Sequence, residues 1–303
     1  QLLQCGLLRD SFVPPRPQRE LRDLTRQRIC LVDDRSRVVN RIQKTLEDAN
    51  IKLSSAASDV MGVSGRDMLR AIIAGQEDST ALADLARKRL RAKIPELREA
   101  LRGGVRDHHR FMLKQLMAQV EMLERQIADF ECRIGQLMDK DQETLDRLTG
   151  IPGVDQRVAR IVVAEIGTDM TRFPTADHLC SWAGVCPGNN ESAGKRKSGR
   201  TRGGNRWLCR TLVQAAWAGS QAKNSYFQAQ HCRIARRRGL KRATMAVARS
   251  ILVVIYHMLK TGAAFKEAGA AFFDCLKPER AVKNILKRLA GLGYDAVLTP
   301  RAA

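Results

Sequence analysis

Closely spaced cysteines and long apolar runs are both missing from this sequence. The eight cysteines are scattered and form no Cys-x-x-Cys step, which argues against a disulfide framework and suits a reducing cytoplasm. The longest apolar run, Ile251 to Tyr256, is far shorter than the about 20 residues of a membrane-spanning helix. No basic stretch followed by an apolar core opens the chain, so no secretion signal is predicted. We therefore expect a cytoplasmic protein without a membrane segment.

Acidic residues are scarce relative to basic ones. The 303 residues include 53 Lys and Arg against 32 Asp and Glu, which gives a formal net charge of +21. A chain this basic is typical of a nucleic-acid partner, because its cations neutralise phosphates and release their counterions. A hydrophobic content of 44% predicts that most of the chain is folded.

Apolar residues recur every three or four positions in much of the chain, which predicts helices. A long helix is expected from Gln18 to Asn50, with a strongly basic face that we interpret as a phosphate-facing surface. A second long helical stretch, from Val105 to Asp146, has the spacing of a coiled-coil connector. Shorter helices are expected at Trp207 to Ala222, Lys241 to Lys260 and Pro278 to Leu289.

The segment from Leu148 to Asp155 joins two apolar-periodic helices through a Pro-Gly turn. This pattern matches a helix-hairpin-helix motif, in which backbone N–H groups of the turn and of the next helix N-terminus face a phosphate. Gly153 and Val154 are its candidate phosphate-binding residues. Asp155 stands where the motif has a second glycine, and a plain helical turn is the alternative. The predicted fold is therefore mainly α: a multi-domain helical protein with a coiled-coil connector and a helix-hairpin-helix-containing C-terminal domain.

No metal site is predicted from histidine and cysteine spacing. Asp107-His108-His109 fits a surface helix better than a metal site. The cysteines and histidines of the C-terminal half fit no zinc template, so buried, inert cysteines are expected there. This set comprises His178, Cys180, Cys186, Cys209, His231 and Cys232.

The densest cationic segment runs from Pro187 to Arg210 and contains several glycines and a single acid, Glu191. Glycines let the backbone approach a phosphate closely, but their spacing here excludes a Walker loop. Ser192 and Ser198 are embedded in this charge, and either has the hydroxyl needed to attack a phosphodiester. The alternative role of such a serine is in a turn or as a hydrogen-bond donor to phosphate. The candidate phosphate-binding cations are Lys195, Arg196, Arg200, Arg202 and Arg206.

Several ordered segments between Leu145 and Arg210 resemble the C-terminal transposase domain of the insertion-sequence-110 family, also named for elements 116 and 902. The segments are Ile151-Pro152-Gly153-Val154, Ala164-Glu165-Ile166-Gly167, Phe173 to Asp177, Trp182-Ala183-Gly184-Val185-Cys186-Pro187, Glu191-Ser192-Ala193-Gly194-Lys195 and Gly204-Asn205-Arg206-Trp207-Leu208. The stretch from Gly6 to Pro15, the helix from Glu20 to Leu53 and the tail around Leu289 to Tyr294 also fit the family. The resemblance thus covers nearly the whole chain.

The resemblance implies a DNA-binding transposase or recombinase of a bacterial insertion sequence, which cuts and rejoins DNA strands through a serine nucleophile. The family's active serine falls on Ser192, with Lys195, Arg202 and Arg206 as its phosphate-binding surroundings. DNA, a guide RNA encoded by the mobile element, and further copies of the chain in a dimer or tetramer are the implied partners. The implied location is the bacterial cytoplasm.

The resemblance also implies Mg²⁺, held by four acidic residues of an N-terminal RNase H-like domain. Asp10, Asp33 and Asp34 stand in no matching position. We therefore expect an N-terminally truncated chain, and a non-catalytic nucleic-acid-binding remnant is the alternative function. The expected domains are a remnant of the nuclease domain at 1–55, a helical and coiled-coil connector at 56–144, a serine transposase domain at 145–268 and a helical tail at 269–303.

Overall fold

The computed structural model describes residues 13–296 except Asn189, Arg202 and Lys277. At Asn190, Arg196, Lys197, Arg280, Ala281 and Asn284 it describes the backbone alone. This part of the chain contains fourteen α-helices and one two-stranded sheet, which confirms the mainly α prediction. The chain divides into two compact units. The middle unit is Asp23–Leu137, and the C-terminal unit takes the described residues of Gln1–Arg22 and Met138–Ala303.

The middle unit is built from amphipathic helices around one apolar core. Its core includes Ile42 and Leu46 of the first helix, Met68 of the third, and Leu113 and Val120 of the sixth, all nearly inaccessible to solvent. Helix α1 (Arg16–Asp48) starts and ends two residues before the predicted limits, and its residues up to Arg22 belong to the C-terminal unit. The other helices are α2 (Leu53–Ala56), α3 (Val63–Ile73), α4 (Ser79–Asp84), α5 (Ile94–Ala100) and α6 (Asp107–Leu137), with a 3-10 turn at Lys88–Lys93.

The basic face of α1 is partly neutralised within the middle unit. Arg28 pairs with Glu131 at 2.6 Å, and Arg35 pairs with Glu124 at 2.8 Å, both acids being on α6. Burial alone raises the pKa of Glu124, but hydrogen bonds from Arg66 and Arg35 outweigh it and lower that pKa. The interpretation of this whole face as a phosphate-facing surface is therefore wrong for Arg28 and Arg35. The coiled-coil character of α6 stays a prediction.

The C-terminal unit is organised around the helix Leu240–Thr261. This helix packs against the helices Ala176–Ala183, Arg206–Gln221 and Tyr226–Arg238. Four of its helices begin at a polar residue that caps the first turn, and each cap contributes about 1 kcal/mol of helix stability. The elements are α7 (Gln142–Thr149), α8 (Gln156–Ile166), α9 (Ala176–Ala183), β1 (Asn190–Ser192), β2 (Lys195–Ser198), α10 (Arg206–Gln221), α11 (Tyr226–Arg238), α12 (Leu240–Thr261), α13 (Phe272–Cys275) and α14 (Pro278–Gly291), with 3-10 turns at Asp139–Asp141 and Met170–Arg172.

Helix α12 is long and apolar enough to cross a membrane by length and composition. Half of its most apolar window is buried inside the unit, including Val247, Ile251 and Ile255. A core helix of a folded domain passes the same test, so the helix is weak evidence for a membrane segment.

Candidate active site and nucleic-acid interface

Ser192 lies at the tip of a β-hairpin that the sequence did not predict. Strands β1 and β2 pair antiparallel, and the register places Ser192 directly opposite Lys195. The two residues between them, Ala193 and Gly194, have φ values of +50° and +71°. Positive φ at both central residues is the signature of the type I′ turn, which suits two-residue hairpin loops. We call residues 187–201 the serine hairpin, and its tip presents the exposed side chains of Ser192 and Lys195.

The two candidate serines differ in their surroundings. Ser198 is half-buried, and its Oγ accepts a hydrogen bond from the backbone N–H of Arg200 at 3.1 Å. This is the turn role expected of serine in such a segment. Ser192 is exposed, and its Oγ has no hydrogen-bond partner among the described residues. The geometry therefore favours Ser192 over Ser198 as the side chain that can reach a ligand.

Backbone contacts close the base of the serine hairpin. Gly188 N–H donates to the carbonyl of Arg200 at 2.9 Å, and Pro187 and Thr201 form an antiparallel bridge. Beyond the hairpin, a Cβ on Gly204 would lie 2.4 Å from the backbone nitrogen of Gly184. Only glycine allows the two chain segments to approach this closely. The two ends of the serine hairpin are thus held together by backbone contacts.

A buried acid fixes the point where the chain leaves the hairpin and enters α10. Glu165 on α8 is fully buried and accepts a hydrogen bond from the Asn205 side-chain amide at 2.6 Å. Asn205 in turn caps α10 by accepting from the N–H groups of Trp207 and Leu208, both at 3.0 Å. Its own N–H donates to the carbonyl of Trp182 at 3.3 Å. Glu165 therefore holds in place Asn205, the residue that joins the segment after the hairpin to α10.

Arg22 balances the charge of Glu165 from α1. Its guanidinium Nε lies 3.7 Å from Glu165 Oε2, and it also donates to the backbone carbonyls of Ala164 and Glu165 at the end of α8. No role for Glu165 or Asn205 is predicted from the sequence. Arg22 belongs to the basic face of the first long helix, and its interpretation as phosphate-facing is wrong, because Arg22 pairs with Glu165. The available signal was a carboxylate inside the apolar segment Ile161 to Ile166, since buried charges are paired in folded proteins.

The candidate phosphate-binding cations are distributed over the hairpin and the start of α10. Lys195 and Arg200 are exposed on the hairpin side, and Arg206 is exposed as the first residue of α10. The Arg206 guanidinium carbon lies 4.6 Å from the centroid of the Trp207 ring, a cation–π contact that orients it. The side chain of Arg196 and the whole of Arg202 lie outside the described residues, so their proposed phosphate contacts stay predictions.

Helices α7 and α8 are joined by a tight turn, as the helix-hairpin-helix prediction requires. Gly153 has a φ of +89°, and Val154 is buried with its N–H bonded to the carbonyl of Ile151 at 2.9 Å. Asp155 caps α8 by accepting from Val158 N–H at 2.8 Å. A Cβ on Gly153 would lie 2.2 Å from the carbonyl oxygen of Ala215 in α10. The close approach to α10 explains why a glycine is needed at position 153. The phosphate contacts of Gly153 and Val154 stay predictions.

Replacing Gly153 by Ala should lower the free energy of unfolding by about 2–3 kcal/mol. The positive φ alone costs about 1–2 kcal/mol for a residue with a Cβ, and the clash with α10 adds to it. Denaturant unfolding followed by tryptophan fluorescence measures the loss, since all three tryptophans lie in the C-terminal unit. Gly203→Ala is the control, because its Cβ would meet no atom within 4 Å. Equal stability of the two variants would contradict the close packing of the turn on α10.

Cysteine chemistry is not supported at the base of the serine hairpin. Cys180 is fully buried on α9, and burial raises the pKa of its thiol to about 12. Burial likewise raises the pKa of Cys209 on α10. A thiol with a raised pKa is a poor nucleophile and a poor metal ligand. Cys180 is thus the buried cysteine that was expected. Cys186 and Cys209 are only half-buried, and the expectation of a buried cysteine is wrong for Cys232, which is exposed.

The described residues around the serine hairpin do not provide the ligand set of a magnesium ion. Mg²⁺ requires oxygen ligands in near-octahedral geometry, usually including one or two carboxylates. Glu191 is exposed next to Ser192, whereas Glu165 is buried and bonded to Asn205 and Arg22. No magnesium site is therefore assigned to these residues.

One group in the described part of the chain has metal-ligand proximity, and it lies in the middle unit. The ligand atoms of Asp48, His108 and His109 lie within 4.8 Å of one another. His109 is only 2% exposed, so the prediction of a surface position is wrong for this residue. Its Nδ1 accepts from the N–H of Arg106 at 3.2 Å, and its Nε2 lies 2.9 Å from Asp48 Oδ2. Both imidazole nitrogens are engaged, and the hydrogen bond from His109 lowers the pKa of Asp48.

Residues 145–232 match the sequence model of the transposase IS116/IS110/IS902 family. The chain carries an IS116/IS110/IS902-family transposase domain. The chain is also 36% identical over 124 residues to the "Insertion element IS110 uncharacterized 43.6 kDa protein" of Streptomyces coelicolor (strain ATCC BAA-471 / A3(2) / M145). That similarity covers 39% of this chain and 29% of the relative, so the aligned part spans less than a third of the relative's length.

The transposase domain contains the whole serine hairpin, the α7–α8 turn, Glu165 and Asn205. These residues therefore lie inside the region of sequence similarity, whereas Arg22 lies outside it. The family resemblance expected from the sequence is confirmed for residues 145–232.

Proposed function

We propose that the chain contributes to the cutting and rejoining of DNA strands by a transposase of an insertion element, with Ser192 as the nucleophile. The observation that carries this proposal is the hairpin tip, where an exposed Ser192 stands opposite Lys195 across a two-residue turn. A nucleophile on a projecting turn can reach a phosphodiester in a duplex groove without burying the rest of the domain. Membership of a transposase family supports DNA as the substrate.

In the proposed reaction, Ser192 Oγ attacks the phosphorus of a DNA phosphodiester and loses its proton. The bond between phosphorus and one bridging oxygen breaks, and the leaving DNA hydroxyl takes up a proton. The product is a phosphoserine ester, which retains the phosphodiester bond energy. Attack by the hydroxyl of another DNA end reverses the step, releases Ser192 and joins the new pair of strands.

Charge at the reacting phosphate would be stabilised by cations of the hairpin and α10. Lys195 lies across the strand pair from Ser192, at the Cβ separation of about 4.5–5.5 Å that is usual for directly opposed residues. Arg206, oriented by Trp207, and the predicted Arg196, Arg200 and Arg202 extend the positive surface. Cations placed where negative charge develops are the main contribution to catalysis in such sites.

The basic end of α11 extends the proposed grip on DNA. Arg236, Arg237 and Arg238 are exposed in its last turn, and Lys241 and Arg242 follow at the start of α12. These cations would hold backbone phosphates without reading sequence. The proposal retains a homo-oligomer and an element-encoded RNA as the other partners, as the family resemblance implies.

Trapping the covalent intermediate tests the proposal directly. A DNA substrate with a nick next to the cleavage site loses the short leaving strand, so the phosphoserine adduct accumulates. Digestion of the trapped adduct and mass spectrometry should locate a nucleotide on the peptide that contains Ser192. A purely DNA-binding chain gives tight, salt-sensitive binding to the same DNA and no adduct, which would favour the non-catalytic alternative.

A further inference from the structure

A cavity of about 650 Å³ lies in the C-terminal unit and is lined by none of the candidate residues of the serine hairpin. It is bounded by the start of α9, the start of α11, one face of α12 and the segment 265–272. Its volume is in the range of roughly 300–1,000 Å³ that is usual for small-ligand sites. Its lining combines aromatic rings with an excess of cations.

Aromatic side chains are concentrated at this cavity. The chain has only 3 Trp, 3 Tyr and 8 Phe, yet five of these rings line it: Tyr226, Phe227, Tyr256, Phe265 and Phe272. Tyr226 is stacked against Phe273 with centroids 5.0 Å apart, and Phe272 meets it edge-on at 5.1 Å. Phe273 does not line the cavity, so it supports Tyr226 from behind. The half-buried Tyr226 ring is thereby held in a fixed orientation at the cavity.

The polar groups of the cavity carry a net positive charge. Arg249, Lys260 and Lys266 line it against one carboxylate, Asp177, which pairs with Arg249 at 2.6 Å. Lys260 Nζ lies 5.5 Å from the centroid of the Tyr256 ring and 3.4 Å from its hydroxyl. Tyr256 is itself fixed, because its hydroxyl donates to the carbonyl of Phe173 at 3.0 Å. Lys260 and Lys266 are exposed, so their ammonium groups are accessible to an anion.

We infer that this cavity binds one unpaired nucleotide, with its base against Tyr226 and its phosphate at Lys260 and Lys266. A flat base matches aromatic walls, and stacking on an aromatic side chain contributes about 1–3 kcal/mol per base. A phosphate matches the surplus of cations. The inference rests on the proposed function only in taking nucleic acid as the partner. A strand with an unpaired base and a free mononucleotide share this chemistry.

Fluorescence of 2-aminopurine at one unpaired position of a DNA oligonucleotide tests the inference. Wild-type protein should quench this fluorescence, and Tyr226→Leu should lose both the quenching and roughly 5- to 150-fold in affinity. The matched control is Phe111→Leu, an exposed aromatic of the middle unit, which should behave as wild type. Lys260→Gln, at an exposed position, should weaken binding and reduce its salt dependence without affecting the fold.

Two further arms make the outcome decisive. Competition by adenosine monophosphate, which lacks the 2-aminopurine fluorophore, at the oligonucleotide's own concentration range identifies a free nucleotide as the source, whereas its failure to compete identifies the strand. Unchanged quenching and affinity in both Tyr226→Leu and Lys260→Gln would overturn the inference. Ser192→Ala separates this result from the proposed function: the inference requires quenching to persist in Ser192→Ala, whether or not wild-type protein forms the covalent adduct.

Discussion

Replacing Ser192 by Ala should abolish the covalent protein–DNA adduct and reduce strand cleavage by on the order of 10⁴-fold or more, since removing the nucleophile of a serine protease costs about 10⁶-fold. The affected step is bond formation between Oγ and phosphorus, which no other side chain at the hairpin tip can supply. DNA affinity should change by no more than about twofold, because exposed substitutions cost about 0.5 kcal/mol or less. Gel separation of denatured protein measures the adduct, and a filter or anisotropy assay measures the affinity.

Ser198→Ala is the matched control for this prediction. It removes a hydroxyl from the same hairpin and the same charge environment, but that hydroxyl accepts from Arg200 N–H within the turn. We expect wild-type adduct yield from Ser198→Ala, with a small loss of hairpin stability of about 1 kcal/mol. An adduct that persists in Ser192→Ala and disappears in Ser198→Ala would transfer the nucleophile to Ser198. Adducts that persist in both variants would remove the hairpin from the chemistry.

The long helices were predictable because their information is local. Apolar spacing placed α10 within one residue of the predicted Trp207 to Ala222 and α12 within one residue of Lys241 to Lys260. The stretch predicted to be helical from Val105 to Asp146 is instead broken after Leu137, where α6 ends. The serine hairpin was not predictable in the same way. Its strands have three and four residues and carry no alternation of apolar and polar side chains, and its turn is Ala-Gly rather than the commoner Asn-Gly. The sequence therefore indicated a glycine-rich loop where a β-hairpin stands.

Contacts between residues distant in sequence account for the other differences. Arg28 and Glu131 are separated by 103 residues, and Asn205 and Glu165 by 40. No spacing rule connects such pairs. The sequence therefore did not show that basic side chains of α1 are paired with acids, or that Glu165 on α8 is buried and hydrogen-bonded. Ser192 was singled out by the family resemblance, whereas the contacts among Glu165, Asn205 and Arg22 became visible only in the structure.

The second large effect is expected when Glu165 is replaced. Glu165→Ala would remove the buried acceptor of the Asn205 amide and the buried carboxylate that faces the Arg22 guanidinium, and removing one partner of a buried ion pair costs about 3–5 kcal/mol. The loss should be concentrated where Asn205 joins the hairpin to α10. Hydrogen exchange measured by mass spectrometry should therefore show faster exchange in peptides from 184–221, with peptides of the middle unit unchanged as an internal reference.

Glu165→Gln separates positioning from overall stability. Glutamine keeps an acceptor for the Asn205 amide but gives up the charge that faces Arg22, so it should restore most of the protection in 184–221 and most of the adduct yield. Glu143→Ala, at an exposed glutamate on α7, is the control and should match wild type in both measurements. Equal exchange in Glu165→Ala, Glu143→Ala and wild type would show that the hairpin does not depend on the buried acid. Recovery of the protection in Glu165→Gln without recovery of the adduct would show that the negative charge of Glu165, and not only its hydrogen-bond acceptor, is needed for the reaction.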